Sequence, residues 1–325
     1  MRLFWMTLCF TSLVSGSARA SSLTPEQGEV TFHSVGDETM NPERYRLDNY
    51  KFDWKMEPKL DLPASGVEIY TLSFPSPVKS LHPKNNTVWG EYYRPKGKGP
   101  FPGVIVLDIL GGDQSLSRNV ARHLAQNEIA ALFIQMPYYG PRRESGYPSL
   151  MTLNVDHTLG AIRQTVLDCR CATAWLEARA EVDPKQLGIF GTSLGSFMSA
   201  LTAAMEPRLQ RVVLLLGGGG LVDAFYEHPK AKPLIQIGEF IGITRDKLRK
   251  MIAPADPLTY AEQLKQRHIL MIAASRDDIV PPKASRMLWE ATGKPKIIWV
   301  DATHVGAALF IFDVTGPIVK HLKGK

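Results

Sequence analysis

Cysteine is scarce, with three in 325 residues, too few for a disulfide framework. Charge runs are also missing. Lysine and arginine number 38 against 32 aspartates and glutamates, a formal charge of +6. No five like charges stand together, so the surplus does not form the basic stripe of a nucleic-acid binder. After residue 20 no stretch holds eighteen unbroken apolar residues, and nothing there predicts a membrane span. No repeat of 20–50 residues is present, which excludes solenoids and propellers. At 44% hydrophobic and 22% charged, with 26 Gly and 23 Pro, the composition excludes collagen-like, coiled-coil and disordered chains. The length suffices to bury a large core in one or two domains.

The one early apolar run has the form of an export signal. Met1-Arg2 gives a positive start, residues 3–14 (LFWMTLCFTSLV) are apolar, and Ser17-Ala18-Arg19-Ala20 is a small-residue cleavage pattern. The expectation is a signal peptide over 1–20, cut after Ala20. The competing reading is an uncleaved anchor or a buried strand. Cleavage removes Arg2, Arg19 and Cys9, which lowers the formal charge from +6 to +4. The expected product is exported, periplasmic or extracellular, and free of the membrane. The remaining Cys169 and Cys171 lie in a stretch whose apolar stripe runs Val155, Leu159, Ile162, Val166, Cys169, Thr173, Leu176. That spacing is one face of a helix. Residues two apart on a helix diverge, so the two thiols are expected unpaired, and C-x-C without clustered His is a weak metal signal.

The chain divides by pattern. Residues 21–62 are polar, show no sustained period, and read as an N-terminal arm partly ordered against the body. Strands are predicted near 66–74 and 87–94, separated by Pro75, Pro77, Pro83 and Asn85-Asn86. Asn85-Asn86-Thr87 also matches a glycosylation sequon, a short pattern common by chance. From residue 100, apolar runs at 103–109, 129–135, 187–191, 211–216, 268–274 and 296–300 alternate with helical stretches at 115–127, 155–180, 194–206, 283–292 and 306–323. Near-continuous β-branched runs suit strands buried on both faces. Their alternation with helices predicts a doubly wound, mostly parallel α/β sheet over 63–325. Residues 217–260 exceed a simple crossover and carry a helical stretch around 234–251. They are expected to form a lid-like helical insertion over the strand ends, where such folds bind ligands.

Gly191-Thr192-Ser193-Leu194-Gly195 is a G-x-S-x-G between a predicted strand and a predicted helix. That context fits a nucleophile elbow, a tight turn that lifts the serine Oγ clear of the sheet. Serine needs a base, and the base an orienting acid. Asp277 follows the strand at 268–274 and His304 follows the strand at 296–300, so both stand at strand carboxyl ends in the order Ser, acid, His. Taken alone, Asp277 could be a turn former, with Asp278 beside it a surface residue or a stand-in, and His304 an ordinary helix-start residue. Their joint occurrence in order favours catalysis.

The segments VIVLDILGGD (104–113), QMPYYGPR (135–142), VDPKQLGIFGTSLGS (182–196), SRDDIVPP (275–282) and DATHVG (301–306) resemble the α/β-hydrolase family, in its dienelactone hydrolase and acetyl xylan esterase-like branch. The resemblance covers about 66–323. It implies Ser193 as nucleophile, Asp277 as acid, chosen over Asp278 because the family acid stands three residues before a Val, and His304 as base. It implies oxyanion donors at the Leu194 N–H and at Leu110, with Ile109 the neighbouring option. The chain departs from the family pattern at Ser193 (Cys in dienelactone hydrolases), Ser196, Ala274 and Ile109-Leu110. The implied activity is that of an exported serine hydrolase acting on a small-molecule carboxylic ester, without cofactor, metal or nucleic acid. A peptidase of the same fold and a non-catalytic binding relative are the alternatives. Around this site, Asp108, Asp113 and Asp223 read as solvated caps, and Arg142 and Arg143 as surface charges with a cleft-facing role in reserve. Tyr138 and Tyr139 stand where they could face the cleft, and His157 sits in a capping context.

Overall fold

The computed structural model describes residues 23–226, 229, 232–240, 242–307 and 311–325. The expected signal at 1–20 lies outside the described residues. Among the described residues ten strands form one sheet: β1 (Glu26–Phe32), β2 (Tyr50–Leu62), β3 (Val67–Pro75), β4 (Thr87–Pro95), β5 (Phe101–Leu107), β6 (Ala130–Ile134), β7 (Val182–Thr192), β8 (Leu209–Leu215), β9 (His268–Ala274) and β10 (Lys296–Val300). The helices are α1 (Ser115–Gln126), α2 (Val155–Glu177), α3 (Leu194–Met205), α4 (Leu221–Phe225), α5 (Lys232–Phe240), α6 (Arg245–Ile252), α7 (Ala261–Leu264), α8 (Pro282–Ala291), α9 (His304–Ala307) and α10 (Ile311–Leu322).

The strand order is β1-β2-β3-β4-β6-β5-β7-β8-β9-β10. From β6 to β10 neighbours run parallel, and β1 to β4 form an antiparallel flank joined to β6. The sheet is doubly wound. Successive side chains of a strand point to opposite faces, and the core divides accordingly. Ile105 and Leu107 pack with α2 and α3 on one face, while Val104 and Val106 pack with α1 and α10 on the other. Burial on both faces is why the parallel strands inside the sheet carry unbroken apolar runs, while β10, at the edge, is only partly covered.

Two expectations are corrected. The stretch read as an N-terminal arm partly ordered against the body supplies the first two strands of the sheet, β1 and β2. In β2, Phe52, Trp54 and Met56 point inward and alternate with Lys51, Asp53, Lys55 and Glu57 outside, the period of a half-buried strand. The helical stretch near 234–251 is two helices, broken where Gly242 takes a left-handed φ of 79° and Thr244 caps α6 through Lys247 N–H.

The flank explains a further difference. Every residue of α2 from Gln164 to Leu176 is buried, which a one-faced helix would not allow. One side of α2 meets the sheet and α3, and β1 with the segment before β2 covers the other. There Arg170 donates to Glu38 Oε2 at 2.8 Å and to the Tyr45 carbonyl at 2.8 Å. Cys169 and Cys171 are therefore both buried free thiols.

Candidate active site

β7 runs into Ser193, and α3 begins at the next residue. Ser193 has φ 51° and ψ −114°, a backbone conformation that costs an L-residue on the order of 1–3 kcal/mol and persists only where its surroundings enforce it. The surroundings do so by close approach. A Cβ on Gly191 would lie 2.0 Å from the Gly195 carbonyl oxygen, and a Cβ on Gly195 would lie 2.4 Å from that of Leu107. Strand and helix can thus cross only with glycine at both positions.

The parallel sheet brings the carboxyl ends of β7, β9 and β10 together, and with them the three predicted side chains. His304 Nε2 stands 3.0 Å from Ser193 Oγ, and His304 Nδ1 stands 2.7 Å from Asp277 Oδ2. The other carboxylate oxygen, Asp277 Oδ1, accepts the N–H groups of Ile279 at 2.9 Å and Val280 at 2.7 Å. Asp277 and His304 are each 8% exposed, while the adjacent Asp278 is exposed and is not the residue against His304. In this arrangement both oxygens of Asp277 are engaged, so the ring of His304 is held in one orientation.

The loop after β5 lies beside the serine. Ile109 N–H donates to its neighbour Asp108 Oδ1 at 2.7 Å, and Gly111 N–H donates to Tyr139 Oη at 2.9 Å. The Leu110 N–H between them, and the Leu194 N–H at the start of α3, have no hydrogen-bond partner among the described residues. Of the two donors the sequence left open, Ile109 is therefore occupied and Leu110 is free.

Several neighbouring residues differ from expectation. Asp108 is fully buried, not a solvated cap. It receives Ile109 N–H and, at 3.4 Å, Ser117 N–H, and burial raises its carboxyl above the ordinary value. Asp113 caps the start of α1 through Ser115 N–H, as read, and Asp223 pairs with Arg245 and Arg249. Arg142 is neither a surface charge nor a cleft residue. It is fully buried and donates to Asp168 Oδ2, Gln135 O and Asn85 O at 2.8–2.9 Å. Arg143 is exposed. Asn85, the sequon residue, is itself buried and donates to Gln164 Oε1 at 2.8 Å, so the folded chain offers it to no glycosylating enzyme. The 135–143 turn, held by Arg142, is what carries Tyr139 to the Gly111 N–H. Sequence reasoning named Tyr139 without a partner, and no local pattern shows a contact made across 28 residues.

A cavity of about 720 Å³ opens at Ser193 and His304. Its walls come from α2, α3, α6 and the loop after β5, and the insertion after β8 contributes Leu221, Val222, Leu248 and Ile252. No group of three or more His, Cys, Asp or Glu side chains that could hold a metal occurs among the described residues. No helix among them is long and apolar enough to cross a membrane.

Solved structures similar to this one include an acetyl xylan esterase from Paenibacillus sp. R4, with a TM-score of 0.67, 18% identity, and coverage of 82% of this chain and 88% of that one. The chain has the α/β-hydrolase fold. A putative dienelactone hydrolase from Klebsiella pneumoniae is also similar, with a TM-score of 0.52, 19% identity, and coverage of 78% and 98%. Both neighbours fall in the branch that the motifs resemble. Two family models match parts of the chain: "Alpha/beta hydrolase domain containing 18" over residues 73–227 and "Prolyl oligopeptidase family" over 159–296. Among curated proteins, uncharacterized protein Rv2627c of Mycobacterium tuberculosis is 27% identical over 181 residues, 53% of this chain and 41% of that protein. Uncharacterized protein Rv2307c of the same organism is 26% identical over 209 residues, 64% of this chain and 63% of that protein. The chain thus spans about half the length of the curated relatives it matches.

Proposed function

We propose that the protein is a serine hydrolase that cleaves carboxylic esters through Ser193, His304 and Asp277. The observation that carries this reading is the hydrogen-bonded line from Asp277 Oδ2 through the imidazole of His304 to Ser193 Oγ. His304 Nδ1–H donates to Asp277, which leaves Nε2 as the acceptor for the Ser193 hydroxyl. As Oγ attacks the ester carbonyl, Nε2 takes its proton, and the carbonyl oxygen becomes an oxyanion. The N–H groups of Leu194 and Leu110 would receive it; that neither has a partner among the described residues supports this assignment. The protonated His304 returns the proton to the leaving alcohol, giving an acyl-enzyme. A water that loses its proton to His304 then hydrolyses the acyl-enzyme and restores Ser193. The names of the acetyl xylan esterase neighbours support ester hydrolysis. The pattern of residues 1–20 supports export of the chain.

The test is labelling with a fluorophosphonate and hydrolysis of p-nitrophenyl acetate by wild type and Ser193→Ala. Labelling and hydrolysis that depend on Ser193 are expected. Absence of both in the folded wild type overturns the reading. Peptide hydrolysis is the second reading, favoured by the partial match to the prolyl oligopeptidase family model. It predicts turnover of peptidyl p-nitroanilides at rates comparable to the esters.

A further inference from the structure

We propose that the site takes esters of apolar acyl chains of about six or more carbons, with the chain lying in the cavity between α2, α3 and α6. The inference rests on the ester-hydrolase reading above and adds the class of substrate. Three walls of the cavity are apolar side chains that converge from separate elements: Leu159 and Ile162 of α2, Phe197 and Met198 of α3, Leu248 and Ile252 of α6. No aspartate, glutamate, lysine or arginine lines it among the described residues, and its polar side chains are Thr152, Thr158, Thr192 and the pair Ser193 and His304. A site that selects a sugar hydroxyl must hydrogen-bond it, and these walls offer almost nothing to do so.

Size argues in the same direction. At roughly 30 Å³ for each water-sized group, the cavity of about 720 Å³ has room for on the order of twenty heavy atoms, far beyond an acetyl group. The apolar lining is also graded from the inside out. Met198 is 2% and Ile162 6% exposed, whereas Leu110 and Val305, beside the serine and the histidine, are 51% and 72% exposed. An acyl chain entering past Leu110 and Val305 therefore passes the reacting groups and runs toward the dry wall. Each methylene it buries is worth about 0.8 kcal/mol, equivalent to about fourfold in kcat/KM. Part of the chain stays wet near the open mouth, so the gain from acetate to octanoate is expected to be about a hundredfold or more.

The experiment compares p-nitrophenyl acetate, butyrate, hexanoate and octanoate below their aggregation limits, using the purified full chain, with a parallel series of acetate esters of lengthening alcohols. The proposal expects kcat/KM to rise with acyl length and to stay nearly flat with alcohol length. Leu248→Asp, on the half-exposed helix α6, should lower the octanoate-to-acetate ratio at least tenfold by placing a charge in the apolar wall. Leu159→Trp should move the best substrate to a shorter chain by filling the wall opposite. A flat or falling acyl series with Ser193-dependent acetate hydrolysis overturns this proposal and leaves the ester-hydrolase reading standing. A rise confined to the alcohol series overturns it as well, as does an acyl preference that neither variant alters. No Ser193-dependent hydrolysis of any ester overturns the ester-hydrolase reading itself.

Discussion

Replacing Arg142 with methionine keeps most of the side-chain volume and removes a charge from the interior. Arg142 has no exposed surface, and its partner Asp168 is also fully buried. After the substitution, Asp168 keeps only the Ser76 hydroxyl, at 2.5 Å, and the Gln135 carbonyl loses its Arg142 donor. Stranding one member of a buried ion pair costs about 3–5 kcal/mol. With an unfolding entropy of about 2.1 cal/mol/K per residue over about 300 residues, the Tm should fall by about 5–8 °C. Calorimetry or far-ultraviolet circular dichroism reads this directly. Burial already raises the Asp168 carboxyl above its ordinary value despite Arg142, and the loss of Arg142 raises it further. A carboxyl whose folded pKa is raised costs stability as the pH climbs above its unfolded pKa, so the gap between variant and wild type should widen with pH and narrow as the pH falls. The double variant Arg142→Met/Asp168→Leu should recover most of the loss, because an apolar pair of similar volume replaces the ion pair at little net cost. A Tm within 1 °C of wild type for the single variant, or a double variant no more stable than the single, would refute the reasoning.

Three further outcomes are expected. Asp277→Asn should lower kcat by about 10³–10⁴-fold, since the asparagine favours the wrong tautomer of His304, while Asp278→Asn changes it by less than about threefold; steady-state kinetics on a p-nitrophenyl ester separates the two. Tyr139→Phe removes the acceptor of the Gly111 N–H and loosens the loop that carries the Leu110 N–H, so kcat should fall about tenfold with KM little changed, less than the 10²–10³-fold of losing an oxyanion donor outright. Burial pushes the Glu38 carboxyl up, but hydrogen bonds from Arg170, Ser34 and Asn41 outweigh it and hold it at about 2. Its stabilisation is complete above the ordinary value of 4.5 and is lost as the pH falls toward 2, so Glu38→Gln should lower stability by about 1–3 kcal/mol at neutral pH and flatten the acid limb of the Tm-against-pH curve.

The site was more legible in the sequence than the frame around it, for a physical reason. A strand buried on both faces must be apolar throughout, so β5 to β9 announce themselves as runs, and Ser193 and Asp277 follow the carboxyl ends of two of them. Ser193, Asp277 and His304 are each fixed by the residues just before them. The antiparallel flank obeys a subtler rule. Residues 51–57 alternate Lys, Phe, Asp, Trp, Lys, Met, Glu, a period-two pattern that could have identified β2, though Pro58 and the charged positions mask it in a coarse composition scan. Contacts between distant segments leave no trace in local pattern at all. The Arg142–Asp168 pair spans 26 residues and its link to Asn85 spans 57, and Arg142 looks like any surface arginine until the chain has folded.

The wrapping of α2 by the first strands also sets a timetable. Glu38 leaves the ribosome well before its partner Arg170, 132 residues later. At about 5–20 residues per second of synthesis, Glu38 waits roughly 7–26 s for Arg170. Trp54, whose ring meets that of Trp175 edge-on, stays without that partner for nearly as long. The amino-terminal strands are therefore made well before the helix that closes over them, and the charged residues that alternate along β2 are what the chain itself offers to keep its inner row apart from other chains.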